Sequence, residues 1–310
     1  MRIAFIGQQD FGKAVLEAFL ARGDEVAGVF CAPEKEGARP DVLRMAALDK
    51  GLRVFQFPSL KSAEAEEAMR GLHADIGIMA YVLQFAPQSF VSIPQHGTIQ
   101  YHPSLLPKYR GPSSINWPIA KGDTETGLSI FRPTDGLDEG PVILQKTCPI
   151  GPDDTIGDVY FNRLFPLGVD AMLEAADLVV AGKHVEIAQD EEQASYEGWF
   201  RARESQINWA SHVDHIYDII RAANPAPGAW TTLNGAKLQI FDARKHLVRT
   251  IGAVKGKIGE VTEVGEQSIR VTAQGGQIEI FKLKAEGGKK LSAAEFAGCG
   301  AVSVGTILGS

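Results

Sequence analysis

The chain has 310 residues, 45% hydrophobic and 22% charged, with a formal net charge of -7 at pH 7. That length is long for a single core and predicts two domains, and the composition excludes a disordered or fibrous chain. The acidic balance excludes a protein that coats nucleic acid through bulk charge, although it leaves room for one local basic face.

Ile3 to Gly7 reads as a buried parallel strand closed by glycine. The turn at Gln8-Gln9-Asp10-Phe11-Gly12 leads into a helix to about Arg22, with Asp10 as its expected cap, and Val26 to Cys31 forms the next strand. This β-α-β opening predicts a doubly wound, mostly parallel α/β sheet. Only Gly7 and Gly12 stand where a dinucleotide fingerprint needs G-x-G, so no NAD or flavin is expected. A helix at about 41–50, strands at 52–55 and 76–80, and a helix at 62–72 follow. The apolar loop Tyr81-Val82-Leu83-Gln84-Phe85-Ala86-Pro87 begins at a strand's carboxyl end, where open α/β sheets bind ligands. It fits core packing equally well.

Thr98 to Tyr101 is a strand delivering His102 into the proline-rich loop His102-Pro103-Ser104-Leu105-Leu106-Pro107-Lys108-Tyr109-Arg110-Gly111. Strands at 128–131 and 142–146 flank the turn Thr134-Asp135-Gly136-Leu137-Asp138-Glu139-Gly140-Pro141, with helices at about 155–163 and 166–181 and a polar stretch at Gln189–Ala194. The character changes near residue 205. A helix at about 211–223 ends at Asn224-Pro225, and short segments at 237–241, 256–264, 268–272 and 277–283 alternate with glycine-containing turns. That spacing predicts a small OB-like β-barrel, giving a catalytic domain at 1–204 and a barrel domain at 205–310. Residues 211–310 hold 12 Lys/Arg and 9 Asp/Glu, a net of +3, leaving -10 on the first 210.

Three scattered cysteines, Cys31, Cys148 and Cys299, lack metal-ligand spacing and predict reduced structural thiols. No H-E-x-x-H or similar histidine cluster occurs, so no metal is expected. The opening is too short for a signal peptide, and no run reaches the roughly 18 apolar residues of a membrane span. A cytoplasmic protein without a membrane partner is the expectation.

His102 and Asp138 are the candidate chemical pair. If their strands share a sheet, both side chains are expected at one carboxyl edge, where a carboxylate orients an imidazole for general-base work. From residues alone a structural histidine and a turn aspartate are the commoner reading. Ser104 suggests a Ser-His-Asp site, but no G-x-S-x-G elbow is present.

At these residues the chain resembles a known family. His102-Pro-Ser-Leu-Leu-Pro107-x-x-Arg110-Gly111 followed by Asp135-Gly-Leu-Asp138-x-Gly140 is similar to the signature of the folate-dependent formyltransferases. The Gly7-Gln-Gln-Asp-Phe11 start and Pro225-Ala-Pro-Gly-Ala-Trp230 match as well. Ile115-Asn-Trp117, Ala194-Ser-Tyr-Glu-Gly198 and Lys289 to Phe296 resemble most closely the amino-terminal hydrolase module of 10-formyltetrahydrofolate dehydrogenases. The family also includes methionyl-tRNA formyltransferases.

The resemblance implies 10-formyltetrahydrofolate as formyl donor, with an amine or water attacking the formyl carbon. It implies His102 as proton acceptor and oxyanion stabiliser, and Asp138 as its orienter, positioning water or folate. Leu83, Gln84, Phe85 and Ala86, with Asp135, Gly136 and Asp138, are implied to hold the pterin, and Phe11 and Arg110 are further site candidates that fit scaffold roles equally well. The transferases carry Asn two residues before the histidine. Here Gln100 stands there, a third catalytic candidate that keeps the amide on a longer arm.

Hydrolysis, or transfer to a small amine, is the first expectation. Methionyl-tRNA formylation is the alternative, weakened because the loop Pro33–Arg44 balances Lys35, Arg39 and Arg44 against Glu34, Glu36 and Asp41. A non-catalytic folate-binding protein is a third reading.

Overall fold

A computed structural model describes residues 1–249 and 254–310. In chain order the elements are β1 (Arg2–Gly7), α1 (Gln9–Ala21), β2 (Glu25–Phe30), α2 (Val42–Asp49), β3 (Val54–Phe55), α3 (Ala63–Gly71), β4 (Ile76–Ala80), α4 (Gln88–Val91) and β5 (Thr98–His102). Next come α5 (Asn116–Ala120), β6 (Glu125–Phe131), β7 (Val142–Pro149), α6 (Ile156–Val159), a π-turn and α7 (Phe165–Val180). The remainder is α8 (Val213–Ala222), β8 (Ala229–Leu233), β9 (Ala236–Leu247), β10 (Val261–Val264), β11 (Ile269–Ala273), β12 (Gly276–Ala285), β13 (Lys290–Ser292) and α9 (Ala293–Gly298). The chain divides into two units, one of residues 1–111, 127–148 and 163–196, the other of residues 112–126, 149–162 and 197–310.

The first unit holds a seven-stranded sheet in the order β3-β2-β1-β4-β5-β6-β7. β1 pairs parallel with β2 and β4, and β4 parallel with β5. The order reverses between β1 and β4, which places the ligand-binding crevice of such folds at their carboxyl ends. β4 is buried at every position, as a strand covered on both faces must be. One face packs Ile6, Phe30, Met69, Met79 and Phe90 into a core cluster. On the other, α7 approaches closely because Gly168 has no side chain: a Cβ there would stand 2.7 Å from the Tyr101 ring.

Two sequence expectations are corrected here. Asp10 does not cap α1; it lies within the first turn, where a negative charge favours the helix dipole, and Gln8 is the capping position. Asp41 serves instead, capping α2 at Leu43 N–H (2.9 Å) and accepting Gln9 N–H at 3.0 Å. The second correction concerns β6, which runs antiparallel to β5 with Phe131 opposite Gln100 and Ser129 opposite His102. Its end therefore points to the amino end of β5, and Asp138 does not emerge at a shared carboxyl edge. The turn after β6 has to fold back to reach His102, and Gly140 lets it: a Cβ there would fall on the Arg132 carbonyl.

The second unit carries an antiparallel sheet in the order β10-β11-β12-β9-β8, with β13 on β12. Its two edges are joined by the C-terminal segment. Thr306 O accepts from Val261 N–H (2.8 Å), Leu308 N–H donates to Gly259 O (2.8 Å), and Gly309 N–H donates to Thr232 O (2.9 Å). The predicted strand over 256–264 shrinks to Val261–Val264 because Gly256 and Gly259 take left-handed φ values of 84° and 79°, incompatible with an extended ladder.

Candidate functional site

Side chains alternate along a strand, so β5 sends Gln100 and His102 to one face and Tyr101 to the other. Tyr101 anchors the strand against Phe11, with ring centroids 4.2 Å apart. His102 is 6% exposed, and its Nε2 lies 2.8 Å from the carbonyl oxygen of Tyr109. A carbonyl only accepts, so Nε2 carries the proton and a neutral ring keeps its lone pair on Nδ1. Nδ1 stands 3.6 Å from Asp138 Oδ2, an ion pair once the ring is protonated.

Both partners of the histidine are held in unusual backbone. Tyr109 and Asp138 take φ values of 57° and 55°, the left-handed region that non-glycine residues seldom occupy. Gly111 N–H donates to Asp138 Oδ2 at 2.8 Å, fixing the carboxylate. Tyr109 N–H donates to Ser195 Oγ and Arg110 N–H to Ser195 O, both at 2.8 Å. The buried Arg110 guanidinium grips Gln189 Oε1 (2.9 and 3.1 Å) and the Glu191 carboxylate (2.6 and 2.9 Å). Its hydrogen bonds to Glu191 push its pKa further up and hold the Glu191 carboxyl below its ordinary value. Gln189 Nε2 in turn donates to the carbonyls of Asp138 (2.8 Å) and Gly140 (2.7 Å).

Gln100 is half-buried, and among the described residues its amide has no hydrogen-bond partner. It stands two residues from His102 on the same face, free to donate. Of the loop residues, Leu83 and Phe85 are 61% and 48% exposed, whereas Gln84 is tied to Phe57 O (2.8 Å). Ala86 packs into the core with Ile6, Met79 and Phe90. Asp135 accepts from Gln88 N–H at 2.9 Å, which brings the turn of Gly136 and the exposed Leu137 beside the apolar loop.

Phe11 and Arg110 are scaffold, as their burial and partners show. Ser104 is fully buried and donates to Lys108 O (2.7 Å), so it is no nucleophile. Sequence reasoning missed Gln189, Glu191 and Ser195 as site-building residues. Gln189 and Glu191 sit in a polar stretch without periodicity, whose polarity was their only signal, and Ser195 was legible only as part of the family-like segment Ala194–Gly198. Among the described residues, no three His, Cys, Asp or Glu side chains gather closely enough to hold a metal ion. Likewise no described helix is long and apolar enough to cross a membrane.

A neutral imidazole with its lone pair beside a fixed carboxylate can take the proton of a nucleophile attacking a carbonyl carbon, and a free amide nearby can receive the resulting oxyanion. That is the equipment of carbonyl-group transfer. Comparison with known proteins gives the class. The family described as formyl transferase matches residues 1–176, and the formyl transferase C-terminal domain matches residues 200–299. The chain belongs to the formyl transferase family and is an enzyme of that family.

Among its relatives is the mitochondrial 10-formyltetrahydrofolate dehydrogenase of Mus musculus, 36% identical over 98% of this chain and 34% of that protein. The methionyl-tRNA formyltransferase of Trichlorobacter lovleyi is 33% identical over 99% of this chain and 96% of its own. The chain thus spans about a third of the length of the dehydrogenases it matches. The same fold occurs in HypX from Aquifex aeolicus, solved with tetrahydrofolic acid (TM-score 0.64, 19% identity, 96% of this chain and 47% of that one). It occurs also in the sugar 3N-formyltransferase WlaRD (TM-score 0.67, 19% identity, 90% of this chain and 97% of that one).

Proposed function

We propose that the chain takes the formyl group of 10-formyltetrahydrofolate and delivers it to water or to a small amine. The observation that carries this is the His102 arrangement: Nε2 bonded to Tyr109 O at 2.8 Å, Nδ1 beside Asp138 at 3.6 Å, and the free Gln100 amide on the same face. The donor is supported by relatives named for formyltetrahydrofolate. The exposed side chains of Leu83, Phe85 and Leu137 provide apolar surface against which a planar pterin stacks, near Lys61 over the Phe85 ring and the polar backbone of the Asp135-Gly136 turn.

In the hydrolytic reaction, water oxygen bonds to the formyl carbon as its proton passes to His102 Nδ1. The imidazolium so formed lies against the Asp138 carboxylate, while Gln100 donates to the carbonyl oxygen as it becomes anionic. Collapse re-forms the carbonyl and breaks the bond from carbon to N10. The proton returns from His102 to N10, releasing formate and tetrahydrofolate. An amine acceptor follows the same course, with its nitrogen in place of water.

A second reading, methionyl-tRNA formylation, is favoured by the end-to-end match with a methionyl-tRNA formyltransferase. Against it, part of the charge of the loop Pro33–Arg44 is paired internally. Arg44 pairs with Glu34 at 3.4 Å, and Asp41 caps α2. The deciding experiment follows 10-formyltetrahydrofolate consumption by the purified protein alone, with small amines, and with charged initiator tRNA. Release of formate and tetrahydrofolate without acceptor supports hydrolysis, and turnover only with tRNA establishes the second reading. Folate binding with no turnover under any condition, unchanged in His102→Ala, supports a non-catalytic folate-binding protein.

A further inference from the structure

The segment at 189–196 touches neither ring nitrogen of His102, yet it reaches both groups that do. Its Ser195 brackets Tyr109 and Arg110, whose loop presents the Tyr109 carbonyl to Nε2. Its Gln189 spans from Arg110 to the Asp138 turn. One amide oxygen accepts twice from the guanidinium, and one amide nitrogen donates to both the Asp138 and Gly140 carbonyls. A primary amide has two N–H bonds and an oxygen with two lone pairs, so this side chain is used to its full capacity.

The need for such a clamp follows from the fold. β6 leaves the sheet toward the wrong end, so Asp138 arrives on a turn that doubles back rather than on a strand. At Asp138 the turn adopts a left-handed φ of 55°, a conformation that costs energy in a non-glycine residue and persists only when its surroundings impose it. Carboxylate placement by Gly111 N–H alone leaves the peptide free to rotate to negative φ; bonding the Asp138 carbonyl removes that freedom. Arg110 is aimed in turn by Glu191, whose carboxylate takes two of its N–H groups.

We infer that Gln189 is a positioning residue for the reaction: by bridging Arg110 to the Asp138 turn it sets the carboxylate against His102. The inference rests on the His102–Asp138 reading above. Removing the bridge lets Asp138 drift, and a displacement of about 1 Å in a catalytic group can cost about 10²-fold in rate. The larger effect belongs in kcat, because Gln189 lies on the histidine's partners, and Leu137 on the same turn carries a smaller effect on donor KM.

The experiment is a double-mutant cycle on formyl-folate turnover, with a structure of the variant as a second readout. Gln189→Ala is expected to lower kcat by about 10- to 100-fold with donor KM within about twofold. In an Asp138→Asn background the same change should cost under about threefold, since the group it places is already lost. Gln189→Glu keeps the acceptor for Arg110 but sets a carboxylate oxygen against two carbonyls, and should be as slow as the alanine variant. Equal losses in both backgrounds would overturn the inference, as would full activity in Gln189→Glu. Should the wild-type protein turn over no formyl folate, the proposed function fails. The inference is then decided by the crystal structure of Gln189→Ala: a His102–Asp138 separation beyond about 4 Å and a negative Asp138 φ support it, and unchanged geometry contradicts it.

Discussion

The loop that holds His102's partners and the loop that follows β4 are built in opposite ways. Residues 107–111 and 138–140 are tied by Ser195, Gln189 and one another through hydrogen bonds of 2.7 to 3.1 Å, and the Arg110 and Asp138 side chains are buried. Residues 81–86 are anchored by the Gln84 side chain, at 2.8 and 3.4 Å to the backbone of Phe57 and Pro58, and by Ala86 in the core, and leave Tyr81, Leu83 and Phe85 exposed, with Lys61 Nζ 4.6 Å from the Phe85 ring centroid. Proton-moving groups need fixed geometry before the substrate arrives, because reorganisation during the reaction costs rate. A surface that grips an apolar ring needs only the ring to complete it. In the proposed function, the first loop is finished by the protein and the second by the pterin.

Breaking the first loop's chemistry should cost most. His102→Ala is expected to slow turnover by about 10²–10⁴-fold, read as formate release under saturating donor, while donor binding measured by fluorescence titration persists. Gln100→Ala removes the free amide and should lower kcat by about 10²–10³-fold with little change in KM. A KM effect without loss of kcat would move Gln100 from oxyanion donor to folate contact. The second loop should answer differently: Phe85→Ala or Leu83→Ala is expected to raise donor KM roughly tenfold with kcat nearly unchanged, the worth of one apolar side chain buried by the ligand.

The smallest effect concerns the cysteines. Burial and the nearby Asp41 and Glu34 carboxylates push the Cys31 thiol up to about 12, so it stays protonated and unreactive near neutral pH. Cys299 is exposed. An alkylating reagent at pH 8 is therefore expected to label Cys299 ahead of Cys31 in mass spectrometry without altering turnover.

Much of this was legible in the sequence where a local rule acts alone. β4 was read at Ile76–Ala80 and found there, because an apolar run closed by a turn has one outcome in a parallel sheet. The helices at 62–72 and 211–223 appear at 63–71 and 213–222 for the same local reasons. The motif residues His102 and Asp138 were legible as a pair, and the structure brings them together. The route by which they meet was not. Whether β6 runs parallel or antiparallel depends on pairing across the sheet, which no residue of β6 reports, so the shared-edge expectation failed. Ala86 looked like its neighbours in the apolar loop, yet its small side chain turns into the core. Gln189 was invisible because a single side chain bridging two distant loops leaves no periodicity. The strand β13 and the helix α9 were also passed over, being too brief for a pattern to emerge, and β8 went unread directly behind the proline- and glycine-rich stop at 224–228.

The central claim is that formyl transfer occurs against His102 Nδ1, with Gln100 receiving the oxyanion and the apolar loop holding the pterin. A crystal structure with a hydrolysis-resistant formyl-folate analogue tests it most directly. The account predicts the formyl carbon within about 4 Å of His102 Nδ1, as near-attack geometry requires. It also predicts the formyl oxygen within hydrogen-bond reach of Gln100 Nε2 and the ring against Leu83 and Phe85. An analogue bound with its formyl group away from His102, or on the Nε2 side where Tyr109 O already sits, would contradict it.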